Sequence, residues 1–203
     1  KALADAIAEE LSVDSRILAG KGANDPALAP NFRIAAGAID LLDCNVAARD
    51  ALVRDLTSYG ETDLVCIRAD GPEVLVARED ACWGPICAWF AERFGAPLAL
   101  SRGIAAAKQP DSVLTAVENA VAGQRAFEMA ALSLATRAAG SVVIGLALIE
   151  RSIDAGTAFT AASLEETFQI EHWGDDAEAA RVREGCRQDL AQAARFIELL
   201  SED

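Results

Sequence analysis

Residues 138–149 read AAGSVVIGLALI and form the longest apolar stretch of the chain, between Arg137 and Glu150. The stretch is well short of the roughly 20 residues that span a bilayer, so it predicts a buried helix. Gly140 and Gly145 lie in it among alanines, and we expect both glycines to let neighbouring backbones approach closely. A helix of this composition belongs in the interior of a folded protein.

The composition of the whole chain also favours packed helices. Its 203 residues are 52% hydrophobic but only 5% aromatic, and alanine, which is abundant, is the best helix former. This apolar share excludes intrinsic disorder as the main state. We therefore predict a mainly α fold with a small two-stranded β element, α+β overall, and a multi-helix bundle in the C-terminal part.

One short parallel β-α-β unit is predicted in the first half of the chain. Residues 63–68 (DLVCIR) have the apolar, β-branched composition of a buried strand, and residues 96–100 form a second extended segment. Between them, the apolar residues of 73–94 have helical spacing. We expect Pro85 to kink this helix. Two strands around one helix favour parallel pairing.

The remaining elements follow from apolar periodicity, caps and breakers. Residues 12–30 are rich in glycine and proline and predict a connecting loop, and Asn45 is a predicted N-cap. We divide the chain into an N-terminal α/β portion, residues 1–109, and a C-terminal helical portion, residues 110–203. Helices are predicted at residues 3–11, 32–42, 46–59, 111–121, 126–138, 141–150, 154–173 and 176–200.

The charge of the chain excludes several kinds of partner. The net charge is −14 and the pI is near 4.5, so phosphate backbones and anionic membrane surfaces would repel the protein. We predict neither nucleic-acid binding nor membrane insertion. The five cysteines are scattered and mostly in apolar surroundings, which is typical of buried thiols in a reducing compartment.

The sequence lacks the motifs of common catalytic sites. His172 is the single histidine, which removes metal sites that need two histidines. No serine lies in a G-x-S-x-G turn, and no glycine-rich loop has the spacing that binds nucleotide phosphates. We therefore predict no enzyme activity, no metal and no cofactor.

Acidic residues concentrate near the C-terminus, where residues 150–203 contain 13 acidic and five basic side chains. Glu165, Glu166 and Glu171 are predicted to lie late in the helix at 154–173, where negative charge opposes the helix dipole, so they favour a functional role. Asp175 or Asp176 is expected to cap the last helix.

The aromatic residues beside this acidic cluster leave three interpretations open. Phe168, His172 and Trp173 could anchor a partner within a charged rim, or Phe168 and Trp173 could be core residues. Alternatively, the three glutamates could perform acid/base chemistry on a small molecule. An enzyme of that kind needs a deep pocket that holds at least two of the carboxylates.

Several blocks of sequence, in this order and spacing, resemble the ATP synthase assembly chaperones that are specific for the alpha subunit. The resemblance covers nearly the whole chain. It rests on residues 2–4 (ALA), 25–26 (DP), 38–40 (AID), 63–69 (DLVCIRA), 75–78 (LVAR), Trp83 with Pro85, 139–147 (AGSVVIGLA), 164–174 (LEETFQIEHWG) and 193–196 (AARF).

This resemblance implies a helical chaperone, monomeric when free, that binds the unassembled alpha subunit until the beta subunit replaces it. It implies no catalysis or cofactor, and a location in the bacterial cytoplasm or the mitochondrial matrix. Family members carry a β-rich segment ahead of the region seen here, and we expect this chain to lack it. A generic helical adaptor for an unrelated partner remains an alternative.

The resemblance and the acidic cluster together give a set of expected partner-binding residues. Arg68 and Arg78 are expected to pair internally with acidic neighbours instead. The partner-binding set is Glu165, Glu166, Phe168, Glu171, Trp173, Asp175 and Asp176.

Overall fold

A computed structural model describes residues 1–13, 30–42, 46–174 and 176–201, and these are mainly helical. The helices are α1 (Ala2–Val13), α2 (Pro30–Leu42), α3 (Val46–Tyr59), α4 (Glu73–Phe94), α5 (Asp111–Ala122), α6 (Ala126–Ala139), α7 (Val142–Ile149), α8 (Ala155–Ala162), α9 (Leu164–Trp173) and α10 (Ala177–Ser201). Two short strands complete the described part, β1 (Ile67–Arg68) and β2 (Ser101–Arg102). The predicted fold class, mainly α with a small β element, is confirmed.

The two strands pair in parallel on either side of α4, as predicted, but they are shorter than predicted. Ile67 lies opposite Ser101 in the pair. Within the predicted strand at 63–68, residues 64–66 form a turn of 3₁₀ helix, because the carboxylate of Asp63 accepts a hydrogen bond from the backbone N–H of Val65 at 3.2 Å. That contact turns the chain before pairing begins. The position predicted for the second strand, residues 96–100, is wrong, because β2 begins at Ser101.

The core is organised around the hairpin of α6 and α7, and every residue of α7 is buried. Gly145 lies so close to α6 that a Cβ atom on it would be 2.6 Å from Oγ1 of Thr136, so the predicted close approach is confirmed there. Gly140 has a different role from the one predicted. Its φ of 65° places it in the left-handed region, where it ends α6.

The buried carboxylate of Asp63 connects the turn before β1 to the start of α7. Its Oδ1 accepts from the hydroxyl of Ser141 at 2.6 Å, and its Oδ2 accepts from the N–H of Val143 at 3.1 Å. Ser141 in turn caps α7 by accepting from the N–H of Ile144 at 3.0 Å. Burial raises the pKa of Asp63 to about 6, although these hydrogen bonds lower it.

The single helix predicted at 154–173 is wrong, because the chain breaks at Ser163 into α8 and α9. The indole N–H of the buried Trp83 donates to the carbonyl oxygen of Ala161 at 2.9 Å. In a continuous helix that carbonyl would accept from the N–H of Glu165. A long-range contact therefore ends α8, and a new helix begins with its own first turn.

Other predictions concern the loops, the cysteines and the two portions of the chain. Pro30 begins α2, and α1 extends to Val13, so most of the predicted loop at 12–30 lies outside the described residues, as do Asn45 and Cys44.

Cys66 is buried, whereas Cys82, Cys87 and Cys186 are partly buried; all four are free thiols. The division at residue 109 stays a prediction; the hydrophobic core includes residues from both sides of it.

Candidate functional site

Helix α9, which carries most of the predicted partner-binding residues, is held against α4 by Arg78. The Nη1 atom of Arg78 donates to Oε2 of Glu171 at 2.7 Å. The guanidinium group also lies over the ring of Phe168, 5.4 Å from its centroid. Phe168 is only 5% exposed. The expected internal pairing of Arg78 is confirmed. Phe168 is buried, as its interpretation as a core residue predicted.

The last turn of α9 presents its aromatic residues differently. The His172 ring packs 4.2 Å from the Phe168 ring, and its Nδ1 atom lies 2.7 Å from the carbonyl oxygen of Phe168. Because that oxygen can only accept, Nδ1 carries the hydrogen. Trp173 is 79% exposed. The core interpretation is therefore wrong for Trp173, whose indole projects from the end of the helix.

Two of the three glutamates lie in a different electrostatic setting from the one predicted. Glu165 and Glu166 occupy the first turn of α9, where the N-terminal end of the helix dipole favours negative charge. Only Glu171 lies in the last turn. The argument that all three oppose the dipole is therefore wrong for the first two. Glu166 also pairs with Arg183 of α10, at 3.4 Å.

The segment between α9 and α10 contains the predicted cap. Oδ2 of the exposed Asp176 accepts from the backbone N–H of Ala179 at 3.2 Å, which confirms that Asp176 caps the last helix. Asp175 lies outside the described residues. We call Glu166, Glu171, Trp173 and Asp176 the α9 surface.

The α9 surface contributes no residue to either of the two cavities described for residues 1–13, 30–42, 46–174 and 176–201. Two cavities of about 780 and 720 Å³ lie elsewhere, one lined by residues of α2, α6 and α10 and the other by residues of α7, α8 and α10. Neither cavity is lined by Glu165, Glu166 or Glu171. These cavities therefore do not provide the deep pocket that acid/base chemistry by the glutamate cluster requires.

Behind α9, the interior contains charged groups whose partners could not be identified from the sequence. The side chain of Arg68 is buried; its Nε donates to Asp80 at 3.1 Å, and its guanidinium lies 5.0 Å from the centroid of the Trp83 ring. The expected internal pairing of Arg68 is confirmed. Nη1 of Arg68 also donates to the carbonyl oxygen of Val65.

Glu79 is the charged residue that sequence reasoning missed. It is fully buried, and its Oε2 accepts from the backbone N–H of Ala69 at 2.8 Å. Burial raises the pKa of Glu79, and the neighbouring Glu165 raises it further, whereas the Ala69 N–H and Arg68 lower it. A signal existed in the sequence: residues 79, 83, 86 and 90 share the buried face of α4, so Glu79 occupies a core position of the helical pattern.

Two absences concern residues 1–13, 30–42, 46–174 and 176–201. No group of three or more His, Cys, Asp or Glu side chains in these ranges could hold a metal ion. No helix among them is long and apolar enough to cross a membrane.

Comparison with known proteins gives consistent matches. The ATP12 chaperone protein family matches residues 1–91. The crystal structure of Atp12 from Paracoccus denitrificans superimposes with a TM-score of 0.86 at 35% sequence identity, covering 98% of this chain and 82% of that one. A single-site variant of the same protein matches with the same TM-score and identity, covering 98% of this chain and 81% of that one.

A third structure, the Atu1473 protein from Agrobacterium tumefaciens, a candidate chaperone, has a TM-score of 0.75 at 31% identity and covers 86% of this chain and 64% of that one. The two Paracoccus structures match almost the whole chain. They confirm the family resemblance found in the sequence. The chain belongs to the ATP12 family of ATP synthase assembly chaperones.

Proposed function

We propose that this protein binds the unassembled alpha subunit of F-type ATP synthase and prevents its aggregation until the beta subunit replaces the chaperone. The observation that carries the proposal is the exposed indole of Trp173, which lies at the end of α9, two residues after Glu171, in a member of this chaperone family. A large aromatic side chain surrounded by charges is the usual composition of a binding hot spot.

The physical argument concerns the surface that an unassembled subunit exposes. Subunits of an obligate complex expose apolar interfaces when free, and such surfaces aggregate. A chaperone must cover the interface and still release it. An exposed aromatic anchor supplies apolar contact, whereas the acidic rim increases the association rate and contributes less to affinity. This combination suits reversible binding.

The partner-binding residues have different parts in this proposal. Trp173 is the anchor, and Glu166, Glu171 and Asp176 form the acidic rim. Phe168 acts indirectly, because it is buried under Arg78 and supports the last turn of α9. Asp175 remains part of the proposed surface, and Glu165 is treated separately below.

The test is co-expression of this chain with an alpha subunit, scoring soluble alpha and recovering the complex by size-exclusion chromatography with and without beta. We expect alpha to remain soluble, to co-elute with the chaperone and to be released by beta. If alpha aggregates to the same extent with and without this chain, the proposal is wrong. A partner that binds but is not displaced by beta would instead favour the generic adaptor.

Two substitutions locate the binding surface. Trp173→Ala should decrease the yield of soluble alpha several-fold, whereas Val46→Ala, at another exposed apolar residue on α3, should leave the yield unchanged. Glu171→Gln should weaken binding, and the matched control Glu118→Gln, at an exposed carboxylate on α5, should not. Equal yields from Trp173→Ala and Val46→Ala would remove α9 from the proposed interface.

Location and oligomeric state follow from the same proposal. A chaperone of newly made alpha subunits acts where they are released, which is the bacterial cytoplasm or the mitochondrial matrix. We expect the free protein to be a monomer, and light scattering of the purified chain measures this directly.

A further inference from the structure

One carboxyl oxygen of Glu79 accepts a hydrogen bond, and the other has no hydrogen-bond partner among the described residues. Oε2 accepts from the N–H of Ala69, but no hydrogen-bond donor among the described residues reaches the buried Oε1. The residue has no exposed surface. Burying a charged oxygen without a donor is costly, so native proteins seldom leave one in this state.

The groups around Glu79 explain how Oε1 can be satisfied. The side chain of Glu165, in the first turn of α9, is within hydrogen-bonding reach of Glu79, and Arg68 of β1 is the nearby cation. Arg68 is already occupied by Asp80, by the Val65 carbonyl oxygen and by the Trp83 ring. Two carboxylates in contact repel each other unless a proton lies between them.

We propose that Glu79 carries a proton on Oε1 and donates it to the carboxylate of Glu165, so that a carboxyl–carboxylate hydrogen bond fastens the first turn of α9 to α4. Glu79 is then a positioning residue for α9. It acts at the N-terminal end of this helix, and Arg78 acts at the other. Glu165 belongs to this internal contact and not to the acidic rim. The consequence for client binding rests on the function proposed above.

The contact makes the attachment of α9 depend on pH. Because burial raises the pKa of Glu79 above its ordinary 4.5, the folded protein binds this proton more tightly than the unfolded chain does. Stability therefore decreases as the pH rises from 4.5 through the raised pKa, and it levels off above it. Once Glu79 is ionised, it repels Glu165, and Arg68 compensates only in part.

The substitution Glu79→Gln tests this arrangement. The amide of glutamine can accept from Ala69 with its oxygen and donate to Glu165 with its nitrogen, so it reproduces the protonated acid at every pH. We expect Glu79→Gln to have a higher Tm than the wild type by about 2–4 °C near pH 8, with a smaller difference near pH 5. Glu118→Gln, on the exposed face of α5, is the matched control and should follow the wild type. Identical pH profiles for Glu79→Gln and the wild type, or a lower Tm near pH 8 for Glu79→Gln, would overturn the proposal.

Two spectroscopic measurements on the full chain without any client separate this proposal from the proposed function. Near pH 5, infrared spectra should show a protonated carboxyl group in the wild type that is missing in Glu79→Gln. Hydrogen exchange in α9 should accelerate with pH by more than the intrinsic rate in the wild type, but not in Glu79→Gln. If neither difference is found, the shared proton does not exist, whatever the chaperone assay shows. If both are found and alpha is not protected, only the function is wrong.

Discussion

Two helix contacts in this protein use polar groups in opposite ways. At the α6–α7 hairpin, Asp63 and Ser141 are completely buried, and neutral donors surround the carboxylate. At the α4–α9 contact, the ion pair of Arg78 and Glu171 is nearly half exposed on both sides. The first arrangement fixes one backbone geometry in the interior, whereas the second holds a helix whose outer face remains available to a partner. Substitutions should therefore affect folding at the first contact and presentation of α9 at the second.

The largest effect on stability is expected from Asp63→Ala. The substitution leaves the Ser141 hydroxyl and the N–H groups of Val65 and Val143 buried without their acceptor. Each such loss costs about 1–3 kcal/mol, so we expect the free energy of unfolding to fall by about 4 kcal/mol near pH 5. Chemical denaturation monitored by circular dichroism measures this. A loss of less than about 1 kcal/mol would show that the interior contact is not stronger than the surface contact.

The pH dependence of the same contact is the next largest effect. The pKa of Asp63 is raised from 3.8 to about 6, so the folded state favours the protonated acid, and stability decreases as the pH rises between these values. Because one pKa unit corresponds to about 1.4 kcal/mol, the decrease amounts to about 3 kcal/mol. Denaturation curves should be recorded in the Glu79→Gln background, since Glu79 contributes a slope of the same sign.

The Asp63→Ala protein is the control for this slope. It has no carboxyl group at the position, so its stability should decrease less over this range than that of the protein with Asp63. The stabilities of the two proteins should therefore converge as the pH rises. Parallel curves would mean that burial of the Asp63 charge does not determine the pH dependence.

The same two regions show how far the sequence predicts this structure. The two helices of the α6–α7 hairpin were predicted to within a few residues because their apolar runs are local signals. The break at Ser163 was not predicted, because it depends on a hydrogen bond from Trp83, which is distant in sequence. The 3₁₀ turn at 64–66 replaced most of a predicted strand through the side chain of Asp63, whose other partners are also distant.

For the candidate site, the sequence supplied a set of candidate residues but not their exposure. Phe168 and Trp173 are both large aromatic residues of one short helix, and only the position of α4 decides that the first is buried and the second exposed. The apolar spacing on α4 could have placed Glu79 on a buried face, but its partners, Ala69 and Glu165, come from two other segments. Composition and periodicity therefore indicate a candidate helix, and tertiary contacts determine which of its side chains are exposed.

Substitution by alanine should have opposite effects on stability at two glycines, of which only Gly145 lies at the close approach of α6 and α7. In Gly145→Ala, the new Cβ would lie 2.6 Å from Oγ1 of Thr136 and 3.2 Å from a methyl carbon of Leu132. We expect a loss of about 2 kcal/mol, which outweighs the gain in helix propensity. Gly185 in α10 has no atom within 4 Å of the corresponding position, so Gly185→Ala should stabilise the protein by up to about 1 kcal/mol. Thermal denaturation measures both, and stabilisation by Gly145→Ala would mean that α6 and α7 can separate without cost.

The smallest effect on stability, and the sharpest test of the comparison, comes from two arginines of α4 with similar contacts. Arg78 pairs with Glu171 at 2.7 Å and lies over Phe168, and Arg93 pairs with Glu150 at 2.7 Å and lies over Phe94. Both ion pairs have exposed members, so Arg78→Gln and Arg93→Gln should each cost less than about 1 kcal/mol in urea denaturation.

The two substitutions should nevertheless differ in function. Only the partner of Arg78 lies on α9, so only Arg78→Gln releases the turn that carries the exposed Trp173. We expect Arg78→Gln to lower the yield of soluble alpha subunit in co-expression and Arg93→Gln to leave it unchanged. Equal yields at equal stability would show that the orientation of α9 does not matter for the client. A selective loss would show that the weaker of the two helix contacts is the one that matters for recognition of the client.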